Sequence, residues 1–153
     1  VLFKQQRPGK NGKIFTLYKF RTMKNDTRLA ATSDLTEADE CITRSGRFLR
    51  KTSLDELPQL LNILQGDMSI VGPRPELPKF VEEYSKNIPL YMVKHQVRPG
   101  LTGWAQVNGY RGDTSIRKRI EYDLYYIENW TVGLDVKIIL LTFITGFINK
   151  NAY

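Results

Sequence analysis

The stretch Lys51-Thr52-Ser53-Leu54-Asp55-Glu56-Leu57-Pro58-Gln59-Leu60 sets two adjacent carboxylates at the mouth of an amphipathic segment, directly after a dense set of cations. These are the parts needed to handle a phosphate ester. One carboxylate attacks or holds a metal, and the cations neutralise the oxygens being displaced. Neighbouring positions on a helix differ by about 100° around its axis, so Asp55 and Glu56 cannot point alike. That suits divided labour better than a shared proton. In isolation, however, an acidic pair at a helix start is ordinary, because it complements the positive end of the helix dipole, which also favours the ionised form.

Arg74 lies between Pro73 and Pro75. Each ring fixes its own φ and Pro75 restricts Arg74 as well, so a stiff, extended backbone presents the guanidinium. A planar fork held this way suits bidentate capture of phosphate oxygens, although an ordinary surface loop has the same composition. Lys19, Arg21, Arg44, Arg47, Arg50 and Lys51 form a basic set that is either a solvated face or an anion-binding one. The net charge is +7, and twelve of the 23 basic residues precede Thr52. This predicts an anionic partner: nucleic acid, a phosphorylated small molecule or an acidic membrane surface. No nucleic-acid recognition motif accompanies the charge. A lone cysteine, Cys41, excludes an internal disulfide, and with His95 the only histidine a zinc site is not expected. Both residues read as bystanders.

The elements that must position these groups follow from periodicity and turn chemistry. Leu2-Phe3 and Ile14 to Phe20 are strand-like, and Pro8-Gly9-Lys10-Asn11-Gly12 joins them as a hairpin turn. Residues 24–45 are polar and predict a loop or mobile flap. Residues 46–51 predict a short basic helix or extended segment. Leu54, Leu57, Leu60, Leu61 and Leu64 recur at helical spacing, with Gly66 as a stop, so a helix is expected over 54–65. Ser53 and Glu56 match a capping box. Pro58 conflicts with it, so either the first turn is distorted or the regular helix begins at Pro58. Further expectations are a strand at Met68–Val71, helices at Pro78–Asn87, Tyr91–Gln96, Ser115–Glu128 and Val132–Ile148, and a turn-rich loop at Arg98–Trp104. Tyr122, Tyr125, Tyr126 and Trp130 read as core packing or as a membrane-interface belt. Ile138 to Ile148 is an apolar run of 11 residues, short of the roughly 20 that cross a bilayer. It suits a core helix or one lying in the interface.

Taken in order, four motifs resemble one family. They are Lys19-Phe20-Arg21-Thr22-Met23, the run from Thr43 to Gln59, Ser69-Ile70-Val71-Gly72-Pro73-Arg74-Pro75-Glu76, and the run from Pro99 to Gly109. Together they look like the bacterial sugar transferase domain of the monotopic polyprenyl-phosphate phosphoglycosyl transferases. The resemblance implies a membrane-associated enzyme on the cytoplasmic face of the bacterial inner membrane. Such an enzyme moves a sugar 1-phosphate from a UDP-sugar to undecaprenyl phosphate, requires Mg²⁺ and releases UMP. By residue matching, Asp55 would attack the β-phosphate and carry a covalent phosphosugar, and Glu56 would hold Mg²⁺. Lys19, Arg50 and Arg74 match family positions assigned to phosphate binding, and Asp123 one with a supporting polar or metal role.

The resemblance also implies an α+β fold, a mostly helical single domain with a short N-terminal β-hairpin and interfacial amphipathic helices. It shifts the reading of Ile138 to Ile148 toward the interface. Residues 1–153 are read as the catalytic domain. The family's re-entrant membrane helix would precede it and is not in this sequence, and the chain opens on Val1 as a fragment would. Gly109-Tyr110-Arg111-Gly112-Asp113-Thr114 and the ending Phe147 to Tyr153 look like the glucose 1-phosphate transferases of exopolysaccharide assembly. Glucose is therefore the expected sugar, with galactose next. The expected partners are the UDP-sugar, undecaprenyl phosphate and a membrane surface, not nucleic acid. The rival reading is a basic module that binds membrane or nucleic acid without catalysis.

Overall fold

In a computed structural model, residues 1–24, 41–111 and 114–148 are described. Leu2–Pro8 (β1) and Ile14–Phe20 (β2) pair antiparallel, Leu2 opposite Phe20 and Pro8 opposite Ile14. A 3-10 turn at Lys10–Gly12 closes the hairpin, with Asn11 at φ 58 and Gly12 at φ 74. Asn and Gly are the residues that tolerate this left-handed region. Alternation along β2 buries Phe15 and Leu17 against Met68 and Ile63.

Most of the polar stretch at 24–45, residues 25–40, lies outside the described residues. Its ends are tied together. Lys24 N donates to the Cys41 carbonyl at 2.9 Å and Thr43 N to the Thr22 carbonyl at 3.0 Å. Helix α1 (Arg44–Lys51) follows, and Thr43 Oγ1 caps it by accepting from Gly46 N at 2.9 Å. Gly46 lies so close to the Thr22 carbonyl that a Cβ there would clash with it.

The expected helix over 54–65 is divided. Leu54–Glu56 is a 3-10 turn, and α2 (Gln59–Leu64) begins directly after Pro58. Proline lacks an N–H that only a helix interior needs, so regular helix starts where Pro58 stops being an obstacle. The capping box does not form: Ser53 sits in the left-handed region at φ 58, ψ 15 and makes no capping hydrogen bond. Gly66, at φ 86, ends the helix as expected. The leucine stripe faces outward, with Leu54, Leu57, Leu60, Leu61 and Leu64 between 38% and 83% exposed. The inner face of α2 carries Gln59 and Asn62.

Ser69–Val71 (β3) and Gly100–Thr102 (β4) form a parallel pair, Ser69 beside Gly100 and Val71 beside Thr102. The loop expected at Arg98–Trp104 therefore contains a strand. Local propensity could not show it, because the pairing depends on glycines meeting across the two motifs. A Cβ on Gly72 would lie 2.6 Å from the Arg98 carbonyl, and Cβ atoms on Gly100 or Gly103 would run into the Gly72 backbone. Helix α3 (Pro78–Asn87), a 3-10 turn at Tyr91–Gln96, the short α4 (Trp104–Val107), α5 (Ile116–Glu128, capped by Ser115) and α6 (Val132–Ile148) complete an α+β fold.

Two further apolar clusters hold it. Val71, Tyr126 and Ile138 pack under Trp104, and Ile88, Tyr91 and Ile120 pack between α3 and α5. Within the aromatic group, Tyr126 is buried and bonds Asp135, whereas Tyr125 and Trp130 are about half exposed. Helix α6 has one buried and one exposed apolar face. Ile138 is fully buried, while Val136, Leu140, Phe143 and Ile144 are exposed. No helix among the described residues is long and apolar enough to cross a membrane.

Candidate active site

Asp55 and Glu56 are both buried, at 7% and 4% exposure, inside the 3-10 turn that Ser53 introduces. A non-glycine residue in the left-handed region carries strain, and here it aims the turn inward. Glu56 Oε1 collects three cations: Arg74 Nη2 at 2.9 Å, Lys19 Nζ at 3.3 Å and Arg111 Nη2 at 3.4 Å. Burial opposes the Glu56 charge, but Arg74, Lys19 and Arg111 outweigh it and hold the carboxyl well below its usual range. Asp55 differs. Burial and the neighbouring Glu56 charge raise its pKa, while Lys19, Arg111 and Arg50 pull it back. The turn thus does not simply favour the ionised Asp55 as a helix mouth would. Asp55 Oδ1 is buried with no hydrogen-bond partner among the described residues.

Of the residues singled out in the sequence, Lys19, Arg74, Asp55 and Glu56 come together directly. Lys19 arrives from the end of β2, and Arg74 from the Pro-Arg-Pro segment after β3. Arg50, from the last turn of α1, lies close enough to influence Asp55, and its Nε donates to Thr22 Oγ1 at 3.0 Å. Asp123 stands in a second buried cluster. It lies 3.8 Å from Lys94, and Arg119 pairs with Glu76 at 2.7 Å in the same region. Burial pushes Asp123 up to about 6, with Lys94 pulling it down.

Arg111 is the site residue that motif reading passed over. It is 6% exposed and also donates to Ser53 Oγ at 3.0 Å. Its signal in the sequence is a cation inside the Gly109–Thr114 segment, which continues the run from Pro99 to Gly109. Residues 112 and 113 of that segment, and residues 149–153 of the ending that shares its resemblance to the glucose 1-phosphate transferases, lie outside the described residues.

The donor set suits a hard dication. Glu56 makes all three of its ion pairs through Oε1, so Oε2 is the oxygen a cation would take. Asp55 Oδ1 stands without a hydrogen-bond partner in the same turn. Mg²⁺ is commonly held by one or two carboxylates with substrate phosphates completing its shell. No group of three metal-binding side chains occurs among the described residues, so the substrate's own oxygens would have to contribute.

Residues 1–149 match the model of the bacterial sugar transferase family. The UDP-glucose:undecaprenyl-phosphate glucose-1-phosphate transferase of Escherichia coli (strain K12) is 49% identical over 157 residues, covering 100% of this chain and 34% of that protein. The protein of the same name from Xanthomonas campestris pv. campestris is 49% identical over 158 residues, with 100% and 33% covered. A UDP-N-acetylgalactosamine-undecaprenyl-phosphate N-acetylgalactosaminephosphotransferase of Aeromonas hydrophila is 45% identical over 152 residues, with 96% and 36% covered. The chain spans about a third of the length of these curated relatives.

Proposed function

Because the chain belongs to the bacterial sugar transferase family, we propose that it moves glucose 1-phosphate from UDP-glucose to undecaprenyl phosphate through a covalent intermediate on Asp55. The observation that carries this reading is the contrast within the acidic pair. Glu56 is locked into three ion pairs, whereas Asp55 Oδ1 is buried and has no hydrogen-bond partner among the described residues. A carboxylate oxygen kept in this way beside several cations has the character of a nucleophile.

In the first half-reaction Asp55 forms an O–P bond to the β-phosphorus of the UDP-sugar. The bond from that phosphorus to the oxygen bridging the two phosphates breaks, and UMP leaves with the electron pair. In the second, an oxygen of undecaprenyl phosphate attacks the same phosphorus and the Asp55 O–P bond breaks, giving the lipid diphosphate sugar. Arg74, Lys19, Arg111 and Arg50 supply fixed positive charge around the phosphoryl oxygens throughout. Glu56 orients Arg74 and Lys19 by accepting hydrogen bonds from them and Arg111 by ion pairing. Mg²⁺, held by Glu56 with the substrate's diphosphate, would add further neutralisation of the departing phosphate.

The site of action is the cytoplasmic face of the bacterial inner membrane. The outward leucines of α2 and the outward stripe Val136, Leu140, Phe143 and Ile144 of α6 support a membrane surface as partner, and the net charge of +7 complements anionic headgroups. For the sugar, two relatives named above carry glucose in their names and one carries N-acetylgalactosamine, so a panel of UDP-sugars is the direct discriminator.

The decisive experiment is intact-protein mass spectrometry after incubation with UDP-glucose and Mg²⁺ without lipid acceptor. The expected result is a gain of one hexose phosphate, discharged on adding undecaprenyl phosphate and absent in Asp55→Asn. An adduct that survives Asp55→Asn places the nucleophile elsewhere.

A further inference from the structure

Pro73-Arg74-Pro75 belongs to no helix or strand, and its prolines have no N–H to offer. Each of its three carbonyls is nonetheless taken by a donor from a different part of the chain. Gly100 N donates to Pro73 O at 2.9 Å, Lys94 Nζ to Arg74 O at 3.0 Å and Arg7 Nη1 to Pro75 O at 3.0 Å. The Arg74 guanidinium therefore departs from a backbone fixed at its own carbonyl and at both neighbours before it reaches Glu56.

The Gly100 bond continues the β3–β4 pairing, but the Lys94 bond needs a costly arrangement. Lys94 is 3% exposed, and a buried ammonium is unfavourable unless it is paired. Its pairing comes from Asp123 on α5, at 3.8 Å, and from the Tyr91 ring, 5.3 Å from Nζ. The turn that carries Lys94 opens with Leu90 at φ 62, a left-handed conformation that costs a leucine about 1–2 kcal/mol. A buried cation, a counter-charge from another helix and a strained entry thus converge on one carbonyl, that of Arg74.

We infer that Lys94, held in place by Asp123, is a positioning residue for Arg74: it fixes where the guanidinium meets the phosphate without touching substrate. The inference rests on the phosphotransfer reading for its activity readout and has a second readout that does not.

The test uses Lys94→Met combined with Asp123→Asn, so that the charge pair leaves together and no buried charge is stranded. Asp123→Asn alone, which keeps the ammonium and loosens its hold, is measured beside it. The first readout is the nitrogen NMR signal of the Arg74 guanidinium, identified by its loss in Arg74→Lys. It should shift or broaden in the pair variant and change less in Asp123→Asn. The second is UMP release, where kcat should fall about 10- to 100-fold, the usual consequence of misplacing a binding group by about 1 Å. Adding Arg74→Lys to the pair variant should cost no more activity than Arg74→Lys alone. An unaltered guanidinium signal, or losses that multiply independently, overturns the inference. If the parent protein releases no UMP, the phosphotransfer reading fails, and the guanidinium signal still decides whether Lys94 positions Arg74.

Discussion

Asn62 is fully buried, and its side-chain amide takes the place of a neighbouring strand. Its Oδ1 accepts from Tyr18 N at 3.1 Å and its Nδ2 donates to the Thr16 carbonyl at 2.6 Å. Those are backbone groups of β2, so one residue of α2 ties the hairpin to the segment that carries the acidic pair. Lys19, next along β2, is thereby held where its Nζ meets Glu56. Asn62→Leu keeps much of the volume but leaves two buried backbone groups without partners. At about 1–3 kcal/mol for each such group, the expected loss is about 2–6 kcal/mol, read from urea denaturation. A loss below about 1 kcal/mol would mean that water replaces the amide and that Asn62 is not the tie. The residue types that the structure gathers were partly legible: Asp55, Glu56 and the Pro-flanked Arg74 could be named as candidates from their chemistry, each beside an ordinary alternative that only the family resemblance outweighs. Asn62 and Arg111 were not, since each acts through a partner distant in the chain.

At the scale of elements, α2 is turned the opposite way from a core helix, with amides inside and leucines outside. Periodicity locates an amphipathic helix but does not say which face meets water, lipid or protein, and this is why the leucine repeat was readable while its direction was not. The same limit applied to β4, whose pairing depends on glycine contacts between two motifs. The direction of α2 has a measurable consequence. Leu60 and Leu64 are 47% and 83% exposed, so replacing both with Glu should change stability by no more than about 0.5 kcal/mol per site. Binding to vesicles containing anionic phospholipid should weaken about tenfold or more, since each buried leucine contributes about 1.5–3 kcal/mol. Unfolding of the double variant would show that the stripe faces protein after all. Unchanged vesicle binding would leave charge alone to account for membrane attraction.

At the scale of the molecule, the described residues bury charged groups, among them Glu56, Lys94, Arg111, Arg119 and Asp123, alongside three small apolar clusters. The hairpin and the helix ending at Glu128 could be anticipated because each has a local signature, and the α+β class because of the family resemblance. The ionic interior could not, because Lys94, Glu76, Arg119 and Asp123 have no local pattern and meet only through packing. That interior sets how stability depends on pH. Asp123 faces Lys94, Glu76, Arg119 and Tyr91, and burial raises it from 3.8 to about 6. Its contribution is fully present below 3.8 and is lost as pH rises through about 6. His95 moves the other way, lowered from 6.5 to about 4 by burial and by Lys94. Its contribution is fully present above 6.5 and is lost as pH falls through about 4. The two slopes oppose each other between about pH 6 and 5, above the range in which Glu56 and Glu76, both held below their usual 4.5, lose their own contributions on acidification. The parent protein should show a level urea midpoint across that window. Asp123→Asn removes one slope, and stability should then fall on acidification through the window. His95→Gln removes the other, and stability should then rise on acidification through the window. Parallel profiles in the parent and both variants would show that neither buried group couples to folding.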